Sequence, residues 1–367
     1  MKITHSEATK DVSPGDGVSS RVRELSQDLL AKADFLSLLD SKFVPQEKLS
    51  VDGVKQVFLV GIGGSGLGTK AVYDVLKSSE FPKLHFIENV DRAYIDELMV
   101  DSKDPVFVVV CKSGKTFETL KNLEYLTSKK FRGVVKGENT FVVSVEGSRI
   151  WEWGKSLGAK LFPMPQAISG RFQVFSAVTA VPLGLIGVDV NKFVDGAKIS
   201  LSDIKKSADL VSNRFQFYKN GLDEDVYFPF DERLRSLAEW YVSITAESLG
   251  KNGGGITPIV SVGSRDNHTM LQLYLQGPRD KFTTFISLSN TDPYNLQTLE
   301  AVKRAYNDAK LPYIHVELDA SCPDVLTCEL GDFMQSKIIE TVLLGGLMGI
   351  NPYDQPGVEL YKKYLQA

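Results

Sequence analysis

The order of apolar and polar positions changes character near residue 55. Before that point, residues 19–40 space Val22, Leu25, Leu29, Leu30, Phe35 and Leu38 at helical intervals. This predicts one helix inside an N-terminal helical extension over residues 1–50. Beyond it come short unbroken apolar runs at 56–60, 84–87, 106–110 and 140–145, with a shorter one at 160–162. Runs rich in β-branched residues, without polar alternation, predict strands covered on both faces, as in a parallel sheet. The stretches between them, 67–78, 93–99, 116–129 and 148–157, read as helices. The succession predicts a doubly wound α/β domain over residues 51–190.

Helical stretches at 171–185 and 190–218 lead into a second alternation, assigned to residues 191–350. Apolar runs at 256–262, 282–287 and 313–318 predict strands, followed by helices at 268–275, 294–308 and 331–348. The tail, 351–367, opens with Asn-Pro-Tyr-Asp and contains Pro356-Gly357, which predicts a turn and a short helix. The expected fold class is therefore α/β, with two doubly wound parallel-sheet domains, an N-terminal helical extension and a C-terminal helical tail. Trp151, Trp153, Trp240 and the apolar helix at 338–348 read as core or interface material. Residues 223–225 (Asp-Glu-Asp) read as a solvated loop, Cys322 and Cys328 as buried thiols, and His85 and His315 as satisfied packing residues.

Composition narrows the classes of function. The 367 residues carry a net charge of −4, and no basic stretch is longer than Lys129-Lys130-Phe131-Arg132. Nucleic acid and anionic membranes require clustered cations, so neither is an expected partner. The N-terminus runs into polar sequence, and no 18-residue apolar span follows. Three cysteines cannot form a closed disulfide set and suit a reducing cytosol, so the expected location is cytoplasmic. Four scattered histidines (His5, His85, His268 and His315) supply no cluster for a structural zinc, and no metal is expected. The remaining partners are small anionic or neutral molecules.

Two turns carry candidate chemistry. The first predicted strand runs into Gly61-Ile62-Gly63-Gly64-Ser65-Gly66, a literal G-x-G-x-x-G between strand and helix. Glu88 closes the next strand where a dinucleotide fold places its ribose-binding carboxylate, so a nicotinamide cofactor is one reading. In physical terms the turn offers bare amides, one hydroxyl and a helix N-terminus, which serve any phosphate. The second turn, Cys111-Lys112-Ser113-Gly114-Lys115-Thr116-Phe117-Glu118-Thr119, follows another strand. Ser113, Thr116 and Thr119 lie three apart around a helix start, so their hydroxyls can converge with backbone N–H groups on one phosphate monoester. Lys112 and Lys115 add positive charge. Ordinary helix capping by serine and threonine is the plainer account of these hydroxyls. A sugar-phosphate site needs such a second cradle, and a dinucleotide site does not.

The S-G-x-T-x-E-T loop resembles the sugar isomerase (SIS) domain. Further stretches resemble the phosphoglucose isomerase family: Gly61-Ile62-Gly63-Gly64-Ser65, Ser169-Gly170-Arg171-Phe172, the Glu247–Gly253 segment Glu-Ser-Leu-Gly-Lys-Asn-Gly, and Asn351-Pro-Tyr-Asp-Gln-Pro-Gly-Val-Glu359. They run in family order from about residue 55 to the end. The resemblance implies SIS-type, flavodoxin-like domains with the active site between them. It implies reversible conversion of D-glucose 6-phosphate to D-fructose 6-phosphate through an enediol, with no metal and no cofactor. Residue by residue, it implies Glu247 as the proton-shuttling base, His268 and Lys362 in ring opening, and Arg171 beside the enediolate. It implies Ser65, Gly64, Ser113, Thr116 and Thr119 at the phosphate; Gln355 and, by its charge, Lys115 are expected at the rest of the substrate. It also implies a homodimer with a shared active site, the histidine coming from the partner subunit. The chain departs from the family pattern at Ser243, where a glutamine is frequent, and at Lys115 and Phe117, where small hydroxyl residues are common.

The chemistry is coherent without the resemblance. Aldose–ketose isomerisation needs one carboxylate able to take a carbon-bound proton and return it one atom away. It needs a permanent cation beside the developing oxyanion, which Arg171 supplies. Glu247 precedes a glycine-rich exit that lets backbone and substrate approach closely. The competing readings are a phosphomannose or bifunctional isomerase, a NAD-dependent oxidoreductase, and a non-catalytic sugar-phosphate sensor that would not need Glu247.

Overall fold

The structure, a computed structural model, describes residues 1–10, 16–40, 43–45, 49, 53–100 and 102–365. The expected boundary at 50/51 and the end of the tail at 366–367 lie outside the described residues. Among the described residues no helix is long and apolar enough to cross a membrane. The chain divides into two units, one formed by residues 34–190 and the other by residues 1–33 with 191–367. The chain starts in the latter with strand β1 (Lys2–His5) and helix α1 (Asp16–Lys32).

Residues 34–190 build a five-stranded sheet. In chain order its elements are β2 (Gln56–Val60), α2 (Leu67–Leu76), β3 (Lys83–Ile87), α3 (Arg92–Val100), β4 (Val106–Cys111), α4 (Phe117–Leu126), β5 (Thr140–Ser144), α5 (Arg149–Leu157), β6 (Lys160–Pro163) and α6 (Ala177–Leu185). The strand order is β3-β2-β4-β5-β6 and every pairing is parallel. All six residues of β4 and all five of β5 are buried, which is why their sequences are apolar without alternation. One face carries Phe58, Val60, Phe107, Val109 and Val142, closed over by Ile95, Met99, Leu123, Leu126 and Ile150. The connection from β2 goes to one side and that from β4 to the other. The crevice at the carboxyl ends of these two strands is therefore a topological switch point, where α/β sheets bind ligands. Both candidate phosphate turns lie there.

The second unit continues with α7 (Val190–Ser202), α8 (Ile204–Lys219), β7 (Glu224–Pro229), α9 (Arg235–Leu249), β8 (Thr257–Val260), α10 (Leu271–Gln276), β9 (Lys281–Leu288), α11 (Pro293–Asp308), β10 (Tyr313–Leu318), α12 (Pro323–Met348) and α13 (Pro356–Leu365). Its order is β1-β10-β9-β7-β8, with β7 to β10 parallel and β1 antiparallel at the edge. The aromatic core joins Phe228, Phe230, Tyr274, Phe285, Tyr306 and Tyr313.

Several sequence expectations are corrected in this unit. The first 33 residues are not a free-standing helical extension. Lys2 pairs with Glu317 and His5 with Ile314, a four-residue edge strand too short to register as a pattern. The triad 223–225 is not a solvated loop: β7 starts at Glu224, and Asp225 is only 1% exposed. Arg214 on α8 neutralises it by donating to Asp225, to the Tyr227 hydroxyl (3.2 Å) and to Thr284 Oγ1 (2.9 Å). Arg214 also pairs with Glu340 at 3.3 Å, and Lys337 donates to both Glu340 oxygens at 2.7 and 2.8 Å. Helix α12 starts at Pro323, eight residues before its expected start. Cys322 is exposed as the residue preceding that helix and Cys328 is half-buried, so neither is a plain buried thiol. His315 is satisfied by Ser287 (2.9 Å), whereas His85 stacks on Phe58 with its buried Nε2 lacking a hydrogen-bond partner. Trp240 is buried, and Trp151 and Trp153 are half-buried.

Candidate active site

The switch-point crevice of residues 34–190 is shaped first by glycine. A Cβ on Gly61 would come within 2.9 Å of the Val110 carbonyl. One on Gly64 would lie 2.7 Å from the Gly170 carbonyl carbon and 2.8 Å from the Arg171 amide nitrogen. Contacts that short leave no room for a side chain, so the glycines let strand β2's exit press against the segment that carries Arg171. Glu88, the residue expected to hold a ribose, is instead paired with Lys70 at 3.2 Å. Of the pattern's glycines, Gly61 is required by close backbone packing and Gly63 by its φ of +59°, with no contact within 4 Å of a Cβ there.

The second turn adds hydroxyls. Thr116 is the cap residue of α4, yet its hydroxyl makes no capping bond. Its Oγ1 lies 3.5 Å from Ser113 Oγ and 3.5 Å from Cys111 Sγ. Capping does not explain Thr116. Ser113 is exposed, its Oγ accepting from the Lys115 amide at 3.1 Å. Gly114, at φ +63°, sits against the Arg149 amide, where any Cβ would be 2.9 Å away. Behind the turn, Ser144 donates to the Cys111 carbonyl at 2.6 Å and pairs with Ser148, the cap of α5. Thr119 is buried in the first turn of α4, Ser65 is half-buried in the short turn Gly63–Ser65, and Lys115 is exposed. The N-terminus of α4 points its dipole at the turn.

Arg171 lies in the single-turn helix Gly170–Phe172, almost fully buried, with its guanidinium over the Phe172 ring at 5.3 Å. Two residues that sequence reading undervalued hold this segment. Lys112 Nζ donates to the Ile168 carbonyl at 2.6 Å, and Gln173 Nε2 donates to the same carbonyl at 2.7 Å and to Pro165 at 3.0 Å. Burial pushes the Lys112 ammonium below its usual pKa, and the charge of Arg171 pushes in the same direction. Two cations crowded this way favour a multiply charged anion. Only the position of Lys112 inside the phosphate turn signals its part, and Gln173 carries no pattern that singles it out.

The remaining candidates belong to the other unit. Glu247 is half-buried in the last turn of α9, with Ser243 one turn before it. Helix α9 gives way to a tight hairpin in which Lys251 and Gly254 bond each other's backbones at 3.1 and 3.0 Å. Asn252 (φ +57°) and Gly253 (φ +75°) are its two central residues, the pairing that a type I′ turn requires. Lys251 reaches from this hairpin to the tail, pairing with Asp354 at 3.0 Å. Gln355 follows that contact immediately, and Lys362 lies on α13, its ammonium on Glu359 at 2.6 Å.

His268 is exposed, and the helix expected to start there starts at Leu271. The chain first makes a short turn, Arg265–Asn267, because Asp266 accepts from the Val262 amide (2.6 Å), from Thr269 (2.9 Å) and from the Arg265 guanidinium. Those bonds, the guanidinium's first, hold the Asp266 carboxyl at about 2. Among the described residues no group of three or more His, Cys, Asp or Glu side chains could hold a metal ion.

Parallel sheets wound this way, each with a switch-point crevice, define the class of doubly wound SIS-type α/β folds. The chain belongs to the phosphoglucose isomerase family, whose model matches residues 30–292. A glucose-6-phosphate isomerase of Methanocaldococcus jannaschii is 30% identical over 345 residues, 86% of this chain and 84% of its own length. The fold is shared with a hypothetical protein of Thermus thermophilus (TM-score 0.80, 23% identity, 100% of this chain and 99% of that one). It is shared also with a glucose-6-phosphate isomerase of Chlamydia trachomatis (TM-score 0.75, 20% identity, 95% of this chain and 74% of that one).

Proposed function

We propose that this chain interconverts D-glucose 6-phosphate and D-fructose 6-phosphate by ring opening and proton transfer through an enediol. Membership of the phosphoglucose isomerase family, over a match that includes Ser113, Arg171, Glu247 and His268, is the observation that carries the reading. The roles follow from the chemistry. The Ser113 and Thr116 hydroxyls, with Ser65, Thr119 and the amides around Gly64, take the phosphate. Glu247 removes the proton from C2 of the aldose and returns it to C1. Arg171 stabilises the enediolate oxygen through a charge it never loses. His268 and Lys362 assist ring opening, while Lys115 and Gln355 contact the sugar.

A dinucleotide role for Gly61 to Gly66 is not favoured, because the space at Gly64 is taken by backbone and Glu88 is held by Lys70. We read the working form as a homodimer in the cytoplasm, with His268 donated by the partner subunit. The cytoplasmic part rests on three cysteines, which cannot form a closed disulfide set.

The test is a coupled assay of purified protein with fructose 6-phosphate, reading glucose 6-phosphate, and a second assay with mannose 6-phosphate. Turnover of fructose 6-phosphate is expected. Its absence would remove the reading, and comparable turnover of mannose 6-phosphate would favour a bifunctional isomerase. Glu247→Gln keeps size and hydrogen-bonding reach but cannot accept a proton from carbon. Its kcat should fall by about 10²–10⁴-fold with binding largely retained.

A further inference from the structure

We propose that Lys251 is a positioning residue, locking the end of α9, and with it Glu247, to the tail turn that leads into Gln355 and α13. The proposal rests on the reading of Glu247 as the base. The Lys251 side chain is only 7% exposed, and its ammonium has three acceptors for its three hydrogens. They are the Ser248 carbonyl at 3.0 Å, the Asn351 carbonyl at 2.5 Å and Asp354 Oδ1 at 3.0 Å. Ser248 is the residue next to Glu247, and its carbonyl is among the last four of α9, the ones a helix leaves for donors outside its own ladder.

Both ends of the tie are themselves fixed. The Lys251 backbone is held by its two bonds to Gly254. On the other side, Asn351 Nδ2 donates to Asp354 Oδ2 at 3.0 Å, and Asn351 Oδ1 accepts from the Tyr353 amide at 3.0 Å, closing the turn on itself. Close packing seals the junction, since a Cβ on Gly345 would meet the Ile350 carbonyl and Pro352 at 3.2 Å. Asp354 is itself 55% exposed and an exposed pair contributes little, but the Lys251 side chain is buried and two of its three hydrogens go to backbone carbonyls. Proton transfer is sensitive to displacements of about 1 Å, so a slackened tie should be felt in the chemical step.

The test uses the full chain and four variants: Lys251→Met, Lys251→Arg, Asp354→Ala and the Lys251→Met/Asp354→Ala double. The measurements are kcat and KM for fructose 6-phosphate, inhibition by inorganic phosphate, and the thermal midpoint. Lys251→Met should lower kcat by about 10–100-fold while KM and the phosphate inhibition constant stay within about twofold. Lys251→Arg should recover most of the lost kcat. Asp354→Ala should act in the same direction, and the double variant should be no slower than Lys251→Met alone, as expected of residues working as one unit. A wild-type kcat in Lys251→Met would overturn the proposal. So would a loss that only follows the fraction of unfolded protein, or one that adds to that of Asp354→Ala. Glu247→Gln, assayed beside these, separates the two failures. An inactive Glu247→Gln with a fully active Lys251→Met removes the tie alone, whereas a fully active Glu247→Gln removes the base assignment and the tie's purpose with it.

Discussion

The two sheets are wound alike, around β2 and around β7, and each has a switch-point crevice, yet the crevices are built oppositely. Between β2 and β4 the crevice is lined by glycine backbone and by the hydroxyls of Ser113 and Thr116, with Lys112 and Arg171 crowded beside it. Between β7 and β9 the loop after β7 neutralises itself, and the loop after β9 adds neutral hydrogen-bond partners. Asp231 accepts from Arg233 Nε at 2.9 Å and Nη2 at 2.7 Å, Arg233 reaches Asn290 at 2.9 Å, and Thr291 donates to Asp231 at 3.2 Å. Burial would raise the Asp231 carboxyl, but the bonds from Arg233 outweigh it and hold the pKa below its usual value. One crevice sets two cations side by side, Lys112 and Arg171, and the other places a carboxylate against its cation. The interiors differ in the same sense. The first sheet's core is aliphatic and aromatic, while the second buries two cations and two anions at Arg214, Lys337, Asp225 and Glu340. Winding supplies a crevice, and the side chains decide whether it is offered to a ligand.

The buried charges give the largest effect. Arg214→Leu strands Asp225 and leaves Glu340 with Lys337 alone, whose own pKa burial has already pushed down to about 8. Breaking a buried pair by removing one partner costs about 3–5 kcal/mol, so the denaturant midpoint of the unit containing Arg214 should drop sharply. Replacing Arg214, Asp225, Lys337 and Glu340 together by apolar residues of similar volume should regain most of that loss. If Arg214→Leu costs less than about 1 kcal/mol, the four charges do not act as a cluster and the contrast between the cores dissolves.

That cluster also marks where the sequence was hardest to interpret. Parallel strands covered on both faces declared themselves as apolar runs, so β2, β4, β5, β9 and β10 were legible. β7 was not, because its first two residues are Glu224 and Asp225, and the residue that neutralises Asp225 lies on another helix. The early turns of α12 escape for a different reason: within 323–330 only Leu326, Thr327 and Leu330 are buried, and two apolar positions four apart are too few to display a helical period. The candidate site residues that the sequence offers, the two phosphate turns, Arg171 and Glu247, each sit in a local motif. Lys251 and Gln173 escaped because their parts depend on carbonyls away from any motif of their own, at Asn351 and Pro165, which spacing cannot display.

The first crevice can be weakened without touching either core. Ser113→Ala and Thr116→Ala each remove one hydroxyl from the cradle, a charge-assisted bond to a phosphate dianion worth about 1.5–3 kcal/mol. On the proposed reading the phosphate is gripped in ground state and transition state alike, so the loss should fall mainly on KM, raised about tenfold or more, with a smaller change in kcat. Ser113 is exposed, so its variant should melt close to wild type. An unchanged KM in both variants would mean that the hydroxyls do not meet the phosphate, and the first crevice would lose its claim to the anion.

The smallest effect sharpens the comparison from the other side. Asp231→Ala removes the carboxylate that fills the second crevice, and with it the side chain that accepts the Arg233 amide at 3.1 Å. The loss of this cap and of the half-exposed pair should cost about 1–2 kcal/mol at neutral pH. The sign with pH is fixed by the depressed pKa of Asp231. A carboxyl that stays ionised more readily in the fold stabilises it above the unfolded value near 3.9, and that contribution is lost as pH falls through the folded value. The stability gap between wild type and Asp231→Ala should therefore be full at about pH 6–7 and narrow below about pH 4. Because the second crevice is self-neutralised, KM and kcat for fructose 6-phosphate should move less than about threefold, in contrast to the Ser113 variant. A rise of about tenfold in KM for Asp231→Ala would show that the Asp231–Arg233 pair serves the substrate after all, and that both crevices take part in holding it.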